Sequence, residues 1–310
     1  MTSKGGWWAW STKKKVFLFS LIGIAIVAIG VGLGVGLGIG LKHGSDDNDE
    51  GSGSGGDTGG NTTVKWQPEV GVKWQIELLY PLNNTNIDAD VYDIDLYDNE
   101  KSTISNLQDM GRKVICYFSA GTYEEWRSDA SSFEDSDLGN NLDDWPGERW
   151  LDTNSKNVRK IMQTRLDLAQ TKGCDGVDPD NIDAYDNDNG LKMTKSDAIN
   201  YVNWLAGQAH SRGLSIGLKN GGAIISSVIK NMQWCVNEQC AQYEECDTYA
   251  AFTDANKPVF HIEYPKGDET NDEKNVTTKQ MSSACKADSA SDFSTVIKNM
   301  DLDNWVEYCS

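Results

Sequence analysis

Eight short runs of apolar, β-branched or aromatic residues follow one another from residue 66 onward, and helical patterns separate several of them. Strands that alternate with helices pair in parallel through right-handed crossovers. Eight such units within about 245 residues predict an α/β fold, a closed (β/α)8 TIM barrel. The runs are KWQIELLY (73–80), DVYDIDLY (90–97), RKVICYFS (112–119), CDGVDPD (174–180), LSIGLKN (214–220), MQWCVNE (232–238), KPVFHIEYP (257–265) and FSTVIKN (293–299).

Two of the intervening helices have clear ends. Residues 155–172 carry an apolar face and stop before Gly173, and residues 196–212 begin with Ser196 as the N-cap and stop before Gly213. A doubly wound open sheet is the alternative fold. It is disfavoured because no Gly-rich phosphate-binding loop follows the first strand.

Polar and ionisable residues stand at nearly every predicted strand end, whereas the strand starts are mostly apolar or small. The carboxyl ends of barrel strands are where active sites form. Asp178 and Asp180, in the segment DGVDPDNIDAYDNDNG (175–190), share one face of the fourth strand. Like charges this close raise one another's pKa and weaken the fold, so their concentration indicates a functional site.

A calcium loop or a series of turns could also give so acidic a segment. A calcium loop of the EF-hand type needs Gly at its sixth position, and Asp183 stands there when the loop starts at Asp178. Turn formation accounts for Asp186 and Asp188, because Asp and Asn bond locally in turns. Neither a calcium loop nor a turn accounts for Asp178 and Asp180, and no metal site or cofactor is predicted.

Acid–base chemistry fits the remaining carboxylates. Cleavage of a glycosidic bond needs two carboxyl groups, one on each side of the bond. Asp180 ends the fourth strand and Glu238 ends the sixth, so a barrel brings both to its mouth. A Ser-His-Asp triad is a poor alternative, because the chain has three histidines and no G-x-S-x-G motif.

Several segments together resemble glycoside hydrolase family 114, whose members are endo-α-1,4-polygalactosaminidases with a TIM-barrel fold. The resemblance covers residues 66 to about 309. It implies hydrolysis within a partly deacetylated galactosamine polymer, with Asp180 and Glu238 as the catalytic pair and Asp178 as the rival of Asp180. The segments are VICYFSAGTYEEWR, WPGERWLD, GCDGVDPDNIDAY, AHSRGLSIGLKN, VNEQC and KPVFHIEY.

The predicted substrate-binding residues lie at or beside the strand ends. The candidates for reading the sugar amine are Asp95, Asp178 and Glu263, for which structural salt bridges are an equally simple use. The other predicted binding residues are Tyr117, Asn181, Lys219, Asn220 and Tyr264. Asp180 is expected to be the ionised partner that attacks the anomeric carbon, and Glu238 the acid.

The chain before residue 66 is of a different kind. Residues 16–41 contain no charged side chain and are long enough to cross a bilayer as a helix, whereas a signal peptide, the rival, has a shorter apolar core. Four lysines in the 1–15 tail predict a cytoplasmic amino terminus, hence a single-pass type II protein with its catalytic domain (66–310) outside. The Gly/Ser/Asp-rich residues 42–65 are predicted to be a flexible linker. Sequons at Asn61, Asn83 and Asn275 would be usable there.

The net charge of −19 is unevenly distributed. No acidic residue precedes Asp46, so the rest of the chain is more acidic than the total indicates. Such a surface repels nucleic acid and attracts cations. The charge therefore excludes a DNA-binding function, and it suits a cationic amino-sugar polysaccharide as partner, although solubility alone is the simpler reason for it.

The seven cysteines are consistent with export to an oxidising compartment. Proximity in sequence favours the pairs Cys240–Cys246 and Cys285–Cys309, and the odd number leaves at least one thiol over. The absence of a C-x-x-C pair disfavours a zinc site. Three functional classes stay open at this stage: a hydrolase of this or another α-linked polysaccharide, a carbohydrate-binding protein without catalysis, and a structural protein of the cell surface.

Overall fold

The computed structural model describes residues 66–309. The strands of its main sheet are β1 Trp74–Glu77, β2 Val91–Asp95, β3 Lys113–Ser119, β7 Gly176–Asp180, β8 Ser215–Lys219, β9 Trp234–Glu238, β10 Val259–Glu263, β11 Ser294–Ile297 and β12 Glu307–Tyr308. The first eight form one parallel row in the order β1-β2-β3-β7-β8-β9-β10-β11, and β12 joins β11 antiparallel at the end. The eight predicted strands are confirmed.

The row curls until its two outer parallel strands approach each other. The indole N–H of Trp74 in β1 donates a hydrogen bond of 2.7 Å to the carbonyl of Ser294 in β11. Beyond the ends of the same two strands, the backbone N–H of Leu78 donates to the carbonyl of Leu302. The sheet is therefore consistent with a TIM-barrel-like domain.

Alternate residues of each strand face the two sides of the sheet. The inner side carries a compact apolar cluster that includes Trp74, Ile76, Trp234 and Phe260. Gly217 is required there, because a Cβ atom at that position would lie 2.0 Å from Nε1 of Trp234. The outer side packs against the helices, as in the cluster that joins Ile94, Cys116 and Phe118 to Val158 and Met162.

Helices connect most of the strands. The predicted helix 155–172 is found with Gly173 in the left-handed conformation at its end. The helix predicted to begin after Ser196 begins instead with Thr194 as N-cap, because Thr194 and Asp197 form a reciprocal capping box. The helices are α1 Lys101–Asp109, α2 Lys156–Lys172, α3 Lys195–Ser211, α4 Ile225–Val228, α5 Cys246–Asp254 and α6 Thr278–Cys285.

A small antiparallel sheet that the sequence did not predict is inserted between β3 and α2. It consists of β4 (Thr122–Glu124), β5 (Leu138–Asn141) and β6 (Glu148–Leu151), in the order β4-β6-β5. Backbone hydrogen bonds connect it to the segment after β7, since the N–H of Asn140 donates to the carbonyl of Asn189. The insertion thus forms a wall beside the end of β7.

Three disulfides are present among the described residues. Cys240–Cys246 and Cys285–Cys309 confirm the predicted pairs. Cys116–Cys174, which was not predicted, connects β3 to the short segment that leads into β7. Cys235 is the remaining thiol and is buried.

The predicted cytoplasmic tail (1–15), membrane span (16–41) and linker (42–65) lie outside the described residues. Within residues 66–309, no helix is long and apolar enough to span a membrane.

Candidate active site

The last residue of β7, Asp180, presents its carboxylate to three donors. Oδ2 accepts hydrogen bonds from the hydroxyl of Tyr117 at 3.0 Å and from Nζ of Lys219 at 3.1 Å. Oδ1 accepts from the backbone N–H of Asn181 at 2.7 Å. The side chain is 17 % exposed, so a ligand can reach it from solvent. The carboxylate of Asp180 is therefore fixed by hydrogen bonds and still accessible to a ligand.

The last residue of β9, Glu238, is held in a similar way. Oε2 lies 3.0 Å from Nζ of Lys219 and accepts from Nδ2 of Asn220 at 3.1 Å. Oε1 accepts a hydrogen bond of 2.5 Å from the hydroxyl of Tyr264, and the backbone N–H of Glu238 donates to Oδ1 of Asn220. The side chain is 23 % exposed. Glu238 therefore shares the opening with Asp180.

Lys219, at the end of β8, connects the two carboxylates. Burial opposes its charge, but Asp180 and Glu238 outweigh burial and hold the pKa of Lys219 above its ordinary value. Because one Nζ contacts both, Oδ2 of Asp180 and Oε2 of Glu238 lie at most 6.1 Å apart, the sum of 3.1 and 3.0 Å. The pair can thus act on one bond.

The pKa of Glu238 lies below its ordinary value. Burial alone would raise it, but the charge of Lys219 and the hydrogen bonds from Tyr264, Lys219 and Asn220 together lower it. The tyrosine hydroxyls behave oppositely, since burial raises the pKa of both Tyr117 and Tyr264. Glu238 is consequently ionised near neutral pH, with protonated hydroxyls around the carboxylate pair.

Asp178 lies one step below Asp180 on the same side of β7 and is fully buried. It is close to Asp93 of β2, whose side chain is equally inaccessible. No N–H or hydroxyl of the described residues reaches their four oxygens, and burial, followed by the charge of Asp178, raises the pKa of Asp93. Burial, followed by the charges of Asp180 and Glu238, raises the pKa of Asp178 to about 7 despite Lys219.

Two more predicted binding residues lie outside the carboxylate pair's own contacts. Asp95 is 2 % exposed and forms a two-pronged ion pair with Arg127, at 2.6 and 3.1 Å. Glu263 is 4 % exposed and accepts from His261 and from the N–H of Ala241, both at 2.8 Å. Both carboxylates are therefore already paired within the protein.

Asn181, by contrast, borders the pair. Its Nδ2 donates to the hydroxyls of Ser119 and Thr122, at 3.0 and 3.2 Å. The structure therefore brings together Tyr117, Asp180, Asn181, Lys219, Asn220, Glu238 and Tyr264.

Sequence reasoning missed Asp93 and Arg127. The alternation in DVYDIDLY puts Asp93 and Asp95 on one face of β2. This pattern could have indicated that Asp93 faces the same side of the sheet as the predicted site residue Asp95. Nothing in the sequence connects Arg127 to Asp95, because the inserted sheet positions the arginine.

One group of possible metal ligands is found among residues 66–309: Cys240, Cys246 and His261. The two sulfur atoms are bonded to each other in a disulfide, so they are not thiolate ligands in this structure.

Comparison with known proteins points in the same direction as the geometry. The crystal structure of Aspergillus fumigatus Ega3 in complex with galactosamine matches this chain with a TM-score of 0.79 and a sequence identity of 67 %. The match covers 81 % of this chain and 100 % of that chain. The glycoside hydrolase domain of PelA from Pseudomonas aeruginosa has a TM-score of 0.56 at 11 % identity, covering 76 % of this chain and 98 % of that one, which shows a shared fold. No curated protein gives a significant match. Residues 57–310 match the profile of glycoside-hydrolase family GH114. The chain is a glycosidase that belongs to this family.

Proposed function

We propose that this glycosidase cuts within α-1,4-linked galactosamine polymers, with Asp180 and Glu238 as its two catalytic carboxyls. The observation that carries the assignment is the contact of Lys219, at the end of β8, with both carboxylates: the solvent-accessible side chains of Asp180 and Glu238, at the ends of the two flanking strands, lie within 6.1 Å of each other. The substrate class is supported by the relative at 67 % identity that was crystallised with galactosamine.

The proposed reaction has two steps. Oδ of Asp180 bonds to the anomeric carbon as the bond to the departing sugar oxygen breaks, and protonated Glu238 gives its proton to that oxygen. Glu238 then removes a proton from water, whose oxygen displaces Asp180. Retaining enzymes have carboxyl groups about 5–5.5 Å apart and inverting ones about 6.5–9.5 Å, so the bound of 6.1 Å favours retention.

The hydrogen bonds around Glu238 suit the second half of this cycle. Tyr264, Lys219 and Asn220 all donate to its carboxylate, the form that Glu238 reaches after protonating the leaving group. The first step needs protonated Glu238, whereas these donors stabilise its ionised form. Glu238 must therefore take up a proton before each turnover. The proposed enzyme therefore works at acidic pH.

The broader organisation is part of the proposal. The eight parallel strands form a closed (β/α)8 barrel, supported by the contacts of β1 with β11. The barrel is held outside the membrane by the apolar run 16–41 and the linker 42–65. Protease added to intact cells should then remove the barrel, and the mature chain should retain residue 41.

Activity on a deacetylated galactosamine polymer tests the chemistry. Asp180→Asn and Glu238→Gln keep the shapes of the side chains, so each should lower turnover by at least about 10²-fold while the polymer still binds. Asp109→Asn, on the exposed end of α1, is the matched control. Binding without hydrolysis by the unmodified protein would instead support a carbohydrate-binding function, and near-normal turnover of either variant would refute the catalytic assignment.

A further inference from the structure

Glu148, in the inserted sheet, is a buried carboxyl group that the proposed reaction does not use. It lies in β6 and is 7 % exposed. Burial, followed by the charge of Glu124, raises the pKa of Glu148 to about 7. Its Oε2 accepts a hydrogen bond of 2.8 Å from the hydroxyl of Thr122 in β4. The inserted sheet therefore carries a titratable group whose hydroxyl partner leads toward the active site.

Two hydroxyl groups connect Glu148 to the end of β7. The hydroxyls of Thr122 and Ser119 are buried and lie 2.5 Å apart. Nδ2 of Asn181 donates to both of them, at 3.0 and 3.2 Å. Asn181 follows Asp180 directly, and its backbone N–H donates to Oδ1 of Asp180 at 2.7 Å. A continuous hydroxyl chain, formed by Glu148, Thr122, Ser119 and Asn181, thus reaches the proposed nucleophile.

The direction of the hydroxyl chain is fixed, because a hydroxyl has one proton to donate and two lone pairs that accept. Oγ of Ser119 accepts from Nδ2 of Asn181 and from the backbone N–H of Thr122, so its own proton goes to Oγ1 of Thr122. Oγ1 of Thr122 then accepts from both Ser119 and Asn181. Its remaining proton is the one that Glu148 accepts. Glu148 is therefore the acceptor at which the hydroxyl chain ends.

The backbone of Asn181 is held by the segment that enters the inserted sheet. Its φ of 60° is left-handed, a conformation that Asn tolerates better than most residues but that still requires support. A Cβ atom at Gly121 would lie 1.5 Å from the carbonyl oxygen of Asn181, so only glycine fits there. The N–H groups of Ala120 and Gly121 donate to the carbonyl of Asp180, at 2.9 and 3.1 Å. Residues 119–122 therefore fix both the backbone and the side chain of Asn181.

We propose that Glu148 is a positioning residue, which acts through the hydroxyl chain to hold the carboxylate of Asp180 in the orientation for attack. Without an acceptor at position 148, the proton of Thr122 has Ser119 as its remaining partner. The hydroxyl chain then reverses, and Ser119 loses the lone pair to which Asn181 donates. The inference rests on the proposed function, since the orientation of Asp180 affects turnover only if Asp180 takes part in the chemistry.

Two replacements of Glu148 separate positioning from packing. Glu148→Leu removes the acceptor, so it should lower kcat about 10- to 100-fold, the range expected when a catalytic group is displaced by about 1 Å, and leave KM on the deacetylated polymer within about threefold. Glu148→Gln keeps an oxygen that accepts from Thr122, so kcat should stay within about threefold. The amide is a close mimic because Glu148 is protonated in the acidic range proposed for turnover, and its carbonyl oxygen accepts in the same way.

Thr122→Val interrupts the hydroxyl chain without changing Glu148. It should lower kcat by a similar factor, and the double variant Thr122→Val/Glu148→Leu should lose no more than either single variant, because all three break the same connection. Glu77→Leu is the matched control. Glu77 is also a buried carboxyl with a pKa raised to about 7, but it ends β1 and is not part of the hydroxyl chain. Its replacement should leave kcat unchanged. If Glu148→Leu does not fold, Thr122→Val decides.

A crystal structure of Glu148→Leu tests the positioning without measuring activity. Nδ2 of Asn181 should leave at least one hydroxyl, and the bond between its backbone N–H and Asp180 should lengthen. The positioning role would be overturned by unchanged kcat in Thr122→Val, by an equal loss in Glu148→Gln or Glu77→Leu, or by a loss confined to KM. Near-normal turnover of Asp180→Asn refutes the proposed function, whereas an unmoved Asn181 in the Glu148→Leu structure refutes the positioning alone.

Discussion

The ammonium group of Lys219 lies 3.0 Å from Oε2 of Glu238. An opposite charge this close favours the ionised carboxylate. The proposed acid of the reaction is thus paired with a cation that opposes its protonation. This arrangement sets the pH at which Glu238 can carry a proton, and it should appear directly in the pH dependence of turnover.

Replacing Lys219 by Met should move the alkaline limb of the kcat/KM profile to higher pH. The reason is that the charge of Lys219 favours the ionised carboxylate, so without it Glu238 would keep its proton to higher pH. The readout is the position of the limb, whatever the height of the profile. Lys230→Met, at an exposed site, should leave the limb in place. An unmoved limb in Lys219→Met would show that Glu238 is not the titrating acid.

Asp178→Asn should cost far less turnover than Asp180→Asn. Asp178 is fully buried, whereas Asp180 is 17 % exposed, so the polymer can touch only the latter in this structure. We expect a loss below about 10-fold for Asp178→Asn and of at least about 10²-fold for Asp180→Asn. Unfolding curves of both variants would separate destabilisation from lost chemistry. The reverse order of losses would move the nucleophile two residues upstream.

The anomeric configuration of the first product reports on the same pair. With the two carboxylate oxygens at most 6.1 Å apart, the product released from an α-linked polymer should initially be the α-anomer. Proton NMR of the anomeric signals during the first minutes checks this expectation. Initial release of the β-anomer would mean that a water molecule fits between the carboxyls and that the reaction inverts.

The strands and the position of the Asp180–Glu238 carboxylate pair could be predicted because local pattern determines them. Each strand is a run of apolar residues with a polar end, and parallel pairing places Asp180 and Glu238 at one edge. The order of the strands then places β8, with Lys219 at its end, between the strands that end at Asp180 and Glu238. Nothing about the pair's position requires a contact that the sequence hides.

Long-range contacts account for what could not be predicted. Asp95 is paired with Arg127, and the arginine is positioned by the inserted sheet, whose short strands have no clear alternation. The Cys116–Cys174 disulfide joins residues 58 positions apart, which proximity in sequence cannot suggest. The cap of α3 was misplaced because Thr194 and Ser196 are both capping residues, and only the reciprocal bond with Asp197 distinguishes them.

Removing the Cys116–Cys174 disulfide should destabilise the fold more than removing Cys240–Cys246. In the chain-entropy view, the loss grows with the closed loop, so separations of 58 and 6 residues give about 4 and about 2 kcal/mol. Urea unfolding of the paired Cys→Ala variants measures both free energies. Equal losses would indicate that packing around the sulfur atoms outweighs the loop length.

Stability should fall as pH rises from about 4.5 to about 7. Burial raises the pKa of Glu77, Glu148 and Asp178 to about 7 in the folded protein, so between these values the folded state binds more protons than the unfolded state. Carboxyls with a lowered pKa, such as Asp137, act below that window, where stability is lost as pH falls. Urea unfolding at pH 4.5, 6 and 7.5 gives the slope. Glu77→Gln keeps the shape of the neutral side chain and should make this slope smaller, because glutamine does not ionise. A free energy of unfolding that stays level or increases across this range would mean that these carboxyls ionise in the folded protein at their ordinary pKa.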